Sequence, residues 1–287
     1  VQFDAKGSRK DGALLLAVVT LREGTAGRSY RLPTLRDYAA VLAAKKTVAA
    51  LSQGVVPDEP LPPIGTLGFR VQRYGMLRWG DLFTARQKLA LTVLGRVVHA
   101  TKCNGMLKEL LSLVIDRVAS RSSSLCLWRY HADQEKVENV FGRQALPIVW
   151  DFAEAVVMSE STGSFTDGLG VVEQCLVSIT GWFSKSGQAQ QANACSHPLP
   201  DNACTTWFTD PPYYDAVPYS NLSDFFFVWL KRTLPQHPLL SDPCDARNPL
   251  TPKTAEVVQD DVRRDDGGVK DRAFFEREMG RAFSEGR

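Results

Sequence analysis

Four consecutive residues, Asp210-Pro211-Pro212-Tyr213, combine groups that suit one chemistry. They follow Thr205-Thr206-Trp207-Phe208-Thr209, a short β-rich run, and an acid, two prolines and an aromatic at its end read as a strand stopping at the rim of a sheet. Ligand sites of open α/β sheets lie at such strand ends. The chemistry is alkylation of an exocyclic amine. Its lone pair is delocalised into a base ring, so the site must accept hydrogen bonds from the amino hydrogens and draw the nitrogen toward tetrahedral geometry. Asp210 offers a carboxylate acceptor and the Pro211 carbonyl a second, held in one direction because Pro212 restricts the backbone. Tyr213 offers a flat face on which an extruded base stacks. The competing reading is a turn in which the prolines end a strand and the tyrosines fill a surface groove.

The elements around this stretch are expected to place it on a sheet. Val171 to Phe183 reads as a helix with Val172, Cys175, Leu176, Ile179 and Trp182 on one face. Gln190 to Cys195 reads as a short strand, Pro198 to Asp201 as a turn, and the run before Asp210 as the strand that carries the site. Helix, strand, turn, strand is the order of a doubly wound sheet. Asn221 to Arg232 is an aromatic-rich helix with Asn221 or Ser220 as its cap and Lys231-Arg232 at its end, where cations suit the helix dipole. Phe225, Phe226 and Trp229 belong to its core face. Upstream, Ala13 to Val19 reads as a buried strand and Asp37 to Leu51 as a helix. Thr84 and Gln87 form a capping-box pattern for a helix to Thr101, and Leu107 to Val118 repeats the helical period. Leu125 to Tyr130 is open between strand and helix. Ser159 to Gly170 is expected to be a loop, including Asp167-Gly168-Leu169-Gly170, and Pro235 to Pro252 a long surface loop.

The run from Asp210 to Arg232, DPPYYDAVPYSNLSDFFFVWLKR, resembles the large adenine-specific DNA methyltransferases that carry an N-terminal domain of unknown function. Two further blocks carry the same resemblance: Gly68 to Gln87, with a Tyr-Gly, a Trp and a Leu-Phe-Thr-x-Arg-Gln helix start, and Ala145 to Glu154. The resemblance implies an α/β chain, part of a Rossmann-like S-adenosylmethionine-dependent sheet with helical insertions. It divides the chain into a mixed segment at 1–65, a mainly helical insertion or target-recognition region at 66–170, and part of the catalytic domain at 171–287. Asp210, Pro211, Pro212 and Tyr213 are then catalytic, Asn193 and Asp210 meet S-adenosyl-L-methionine, and Tyr214, Asp215 and Tyr219 line the groove for the target base. DNA is the implied partner, with other subunits of a modification or phage-defence system as further candidates. At Asn193 relatives often carry an acid, for which an amide is a weaker substitute. The glycine-rich cofactor turn of such enzymes has no counterpart in these 287 residues. The chain is therefore expected to be an internal piece, inactive by itself in methyl transfer. A non-catalytic methylase-like subunit and an RNA or protein amino-methylase are the alternatives.

Composition sets the remaining limits. A hydrophobic share of 44% and a charged share of 23% are ordinary for a globular chain, and no apolar run approaches a bilayer span. The expected location is cytoplasmic. The six cysteines are scattered, without the spacing of a zinc site or a disulfide framework. A net charge of +2 argues only weakly for nucleic acid, so local clusters matter more. Arg70, Arg73, Arg78, Arg86 and Lys88 form one such cluster, and Lys231-Arg232 with Arg263-Arg264 another. Either is suited to phosphates or to a solvated face.

Overall fold

A computed structural model describes residue 5 and residues 13–21, 27–131, 134–182, 187–243, 245–265 and 268–287; the side chains of residues 261–268, Arg263 and Arg264 among them, and Cys244 lie outside that description. Within it the chain is mixed α/β. In order come β1 (Val18–Thr20), β2 (Ser29–Arg31), α1 (Leu35–Ala49), α2 (Ala85–Ala100), α3 (Gly105–Ala119), β3 (Trp128–Arg129), β4 (Lys136–Val137), α4 (Phe165–Thr180), α5 (Tyr219–Thr233), β5 (Asp260–Asp265), β6 (Gly268–Lys270) and α6 (Arg272–Glu285).

The helices begin where side chains satisfy their free N–H groups. At α2 the Thr84 hydroxyl accepts from the Gln87 N–H at 3.3 Å and the Gln87 side chain accepts from the Thr84 N–H at 2.8 Å, the reciprocal box expected from the sequence. Asn104 caps α3, Ser164 caps α4 and Asp271 caps α6. α2, α3 and α5 pack on one another, α1 lies against α2 and α4 against α3. Small residues set the approaches. A Cβ at Gly168 would stand 3.2 Å from Val114 Cγ1, and one at Gly95 3.0 Å from the Thr233 hydroxyl.

The core is aromatic. Phe225 packs against Trp79, Phe83 and Phe141 at centroid distances of 6.4, 5.4 and 5.2 Å, and Trp229 stands edge-on to Phe83 at 5.2 Å. Trp79, Phe225 and Trp229 are fully buried. Removing each such side chain from water contributes about 1.5–3 kcal/mol. This one core runs from Leu61 through Leu146 to Trp229, so the 66–170 segment and α5 share it.

Three expectations about strands are corrected. Residues 13–17 are irregular with Leu14 and Leu16 exposed, and only Val18–Thr20 is extended, because β2 is the single neighbour it pairs with. Residues 190–195 form no strand; the Cys195 N–H donates to Asn193 Oδ1 at 2.9 Å and the Ser196 N–H to the Asn193 carbonyl at 3.0 Å, which closes a turn. The run before Asp210 is irregular too. Residues 204–213 make no backbone-to-backbone hydrogen bond among the described residues, and a strand without a ladder partner has nothing to hold it. The described strands form three separate antiparallel pairs, β1 with β2, β3 with β4 and β5 with β6. In the other direction, Asp167 to Gly170 is helical rather than a loop, since α4 starts at Phe165.

Candidate active site

Pro218 separates two kinds of chain. After it α5 is packed on almost every side, and before it residues 203–211 are exposed throughout. The start of α5 has no cap from its own side chains, and Ser220 lies inside the helix rather than before it. Glu256 performs the capping from 36 positions away: its carboxylate accepts the Ser220 N–H at 2.8 Å and the Ser220 hydroxyl as well. A negative charge at that end also suits the helix dipole. One turn further on, the buried Asp224 pairs with Lys253 at 2.7 Å and accepts from both the Thr251 N–H and hydroxyl. Burial pushes the Asp224 carboxyl up, and Lys253 and Thr251 oppose that shift. The buried Lys270 amine donates to the carbonyls of Lys253 and Glu256. The end of the expected surface loop is thus folded back onto α5.

This network anchors the proposed motif from behind. The Gln259 N–H donates to the Tyr214 carbonyl at 3.0 Å. The Tyr214 ring stands edge-on to Phe275 of α6 at 4.9 Å, and the Tyr213 N–H reaches the Tyr219 hydroxyl at 3.4 Å. Val217 and Pro218 are buried. The residues between these anchors face outward. Asp210, Pro211 and Asp215 are exposed and Pro212 is half-buried. The Asp210 side chain makes no hydrogen bond or ion pair among the described residues. The Tyr213 ring is 63% exposed. Tyr214 therefore fills a groove, as the competing reading of the tetrapeptide required, whereas Tyr213 does not.

Asn193 reaches the same neighbourhood through α6. Cys195 Sγ lies 3.3 Å from the Glu278 carbonyl, one turn along α6 from Phe275, and Trp207 stands edge-on to Phe283 at 5.8 Å. The Asn193 side chain itself is exposed and engaged in its local turn. Between residues 187 and 209 all side chains but Cys195 and His197 are exposed, and a nucleoside cofactor needs walls around most of its surface. Residues 193 and 210 as placed do not fit S-adenosyl-L-methionine.

The basic residues sort cleanly. Arg232 binds Glu59 at 3.0 and 3.1 Å, and also the Gly54, Val56 and Val228 carbonyls; Lys231 binds Glu59 at 2.8 Å and the Pro249 carbonyl. Lys231 and Arg232 are therefore joints of the fold rather than phosphate ligands. Burial alone would raise the Glu59 carboxyl; the bonds from Arg232 and Lys231 outweigh it and hold its pKa below the usual value. Arg86 pairs with Glu154 at 2.9 Å, Arg78 donates to the Asp58 carbonyl, and burial lowers the Lys88 pKa. Arg70 and Arg73 are left exposed, with no side-chain partner among the described residues. Trp150 is 66% exposed and stands edge-on to Tyr74 at 5.5 Å.

Among the described residues no helix is long and apolar enough to cross a membrane. Comparison with protein-family models, with curated proteins and with solved structures finds no match.

Proposed function

We propose that this chain belongs to a DNA methyltransferase acting on the exocyclic amino group of adenine. The observation that carries this reading is the contrast within the motif: its flanks are tied down, while Asp210 and Tyr213 are unused by the fold and face outward. A carboxylate and an aromatic face left in that state are what an incoming base requires. Asp210 accepts from the amino group, the Pro211 carbonyl accepts the second hydrogen, and Tyr213 stacks on the ring. Asp215 and Tyr219 follow in the chain and are assigned to the target base in the same reading. S-adenosyl-L-methionine is the methyl donor of this reaction class. Part of a Rossmann-like sheet is the architecture the reading implies for 171–287, the cytoplasm its location, and subunits of a modification or defence system its companions.

Asp167-Gly168-Leu169-Gly170 lies within α4 and so forms no glycine-rich turn, which favours a second reading. In that reading the chain is a methylase-like subunit that binds DNA or a partner without catalysis. The test is transfer of labelled methyl groups from S-adenosylmethionine to DNA, RNA and protein by the intact protein and its Asp210→Ala variant. Label in the adenine amino group of DNA, absent with the equally folded variant, is the expected result. Transfer only to RNA or protein moves the substrate class. No transfer to any polymer by either form, with DNA binding retained, establishes the second reading.

A further inference from the structure

The loop that precedes α2 is built as a cradle. Gly65 and Gly68 adopt φ values of +105° and +77°, which side-chain-bearing residues rarely reach, so the loop turns sharply. The Gly68 carbonyl accepts from the Leu146 N–H at 2.9 Å, which fixes the loop against the 143–146 segment. A short 3₁₀ turn, Val71–Tyr74, follows with Arg70 at its start. Such a turn has about three residues per repeat, so positions three apart lie on one side. Arg70 and Arg73 accordingly line the same cavity, of about 520 Å³, together with Gly65 to Phe69 and Tyr74. Tyr74 is the ring on which the exposed Trp150 stands.

A second, narrower cleft shares part of this cavity's wall. Thr66 and Leu67 line both, and the far wall of the cleft includes Pro218, Asn221 and Gln259. Gln259 is the residue that holds the Tyr214 carbonyl. Two guanidinium groups without a side-chain partner among the described residues, and the exposed indole that stands on Tyr74, thus lie near a cleft whose far wall includes Gln259, which holds the backbone at Tyr214. Guanidinium groups bind phosphates through paired N–H donors, and indole faces stack on bases.

We propose that Arg70 and Arg73 grip the phosphates of the DNA strand that delivers its base to Asp210–Tyr213, and that Trp150, braced by Tyr74, stacks on a flanking base. This inference rests on the DNA-methylase reading for the identity of its ligand, and it is tested by binding rather than turnover. Fluorescence anisotropy with a labelled 20-base single strand and its duplex is measured across a salt series for the intact protein and Arg70→Ala/Arg73→Ala. The control variant is Arg36→Ala/Arg96→Ala, which removes the same charge from exposed sites on α1 and α2.

The expected result is a loss of roughly tenfold in affinity and a salt slope shallower by about 2 for the Arg70/Arg73 pair alone. Trp150→Ala is expected to weaken the single strand by on the order of tenfold while leaving the salt slope unchanged. Equal losses in both arginine pairs would reduce the effect to net charge and overturn the proposal. So would an Arg70/Arg73 variant that binds as the wild type does, absence of DNA binding by the wild type, or dependence on these arginines for RNA only. The two readings fail separately. Asp210-dependent methyl transfer that ignores Arg70 and Arg73 sinks this inference alone. Arginine-dependent DNA binding without any methyl transfer sinks the enzyme and keeps the grip.

Discussion

Segments 187–216 and 219–233 are joined by two residues, yet they follow opposite rules. The second is a helix whose aromatic residues reach Trp79, Phe83 and Phe141, whose first turn is capped by Glu256 and whose last is held by Glu59. The first carries large apolar side chains as well, but Phe208 is 93% exposed and Tyr213, Trp207 and Leu199 remain in contact with solvent. Composition alone does not separate them. What differs is the supply of partners. A helix satisfies its own backbone and needs only a face to pack, whereas an extended segment needs a neighbouring strand before its side chains have a floor to stand on. Function is easiest to read where stability has made no claim on a side chain, and that is the state of Asp210 and Tyr213.

The largest effect is expected from cutting the aromatic core. Trp229→Ala should destabilise the fold by about 3–5 kcal/mol in denaturant titration, and Tyr213→Ala by less than about 0.5 kcal/mol. Equal losses would erase the distinction between the two segments. Next comes the joint at the end of α5. Glu59→Ala leaves Arg232 and Lys231 half-buried without their carboxylate, at an expected cost of about 3 kcal/mol. Because the Glu59 pKa is depressed by folding, its contribution is complete above the unfolded pKa and fades as pH falls through the folded value. The variant should therefore show a flatter acid limb than the wild type.

Asp116 tests the opposite sign. It is buried in α3 with Oδ1 lacking a hydrogen-bond partner among the described residues, and burial pushes its carboxyl well above the usual range. The native state keeps a proton that the unfolded chain releases above about pH 4. Stability should then fall as pH rises between the two pKa values, by up to about 1.4 kcal/mol per unit. Asp116→Asn should remove that slope and melt higher than the wild type at pH 8. The smallest effect sharpens the comparison without a mutation. The Cys126 thiol is buried, which pushes its pKa up to about 11, while Cys204 is exposed in the segment before the motif. Alkylation under native conditions, followed by peptide mapping, should label Cys204 quickly and Cys126 only on unfolding.

Much of the helical layout was legible in the sequence because its signals are local. Thr84 and Gln87 lie three positions apart, the apolar period of α3 spans four turns, and the aromatics of α5 mark their own buried face. The four residues of the motif are adjacent too, so the exposed acid and aromatic could be singled out from the chain alone. The strands were not legible, since a β-rich run at 205–209 or 190–195 becomes a strand only if a distant segment pairs with it. Charge roles were hidden likewise. Nothing near Lys231 and Arg232 announces Glu59, more than 170 positions upstream, so these two members of a cluster that suited phosphate are joints of the fold. Arg70 and Arg73 could be singled out from their neighbours only once the partners of Arg78 and Arg86 were known.

α6 has no buried residue of its own, yet Cys195, Trp207 and Tyr214 all rest on it, and its first turn follows directly on the buried Lys270. Three contacts borne by one surface helix cannot be released independently. If α6 lifts, the turn at 193–196, the Trp207 ring and the Tyr214 ring lose that support together. They are expected to open as one unit, at a free energy below that of the core. Amide exchange in 193–214 and 272–285 should then proceed at a common rate, ahead of α2, α3 and α5. The motif would be delivered or withdrawn as a piece, by a single event at the far end of the chain.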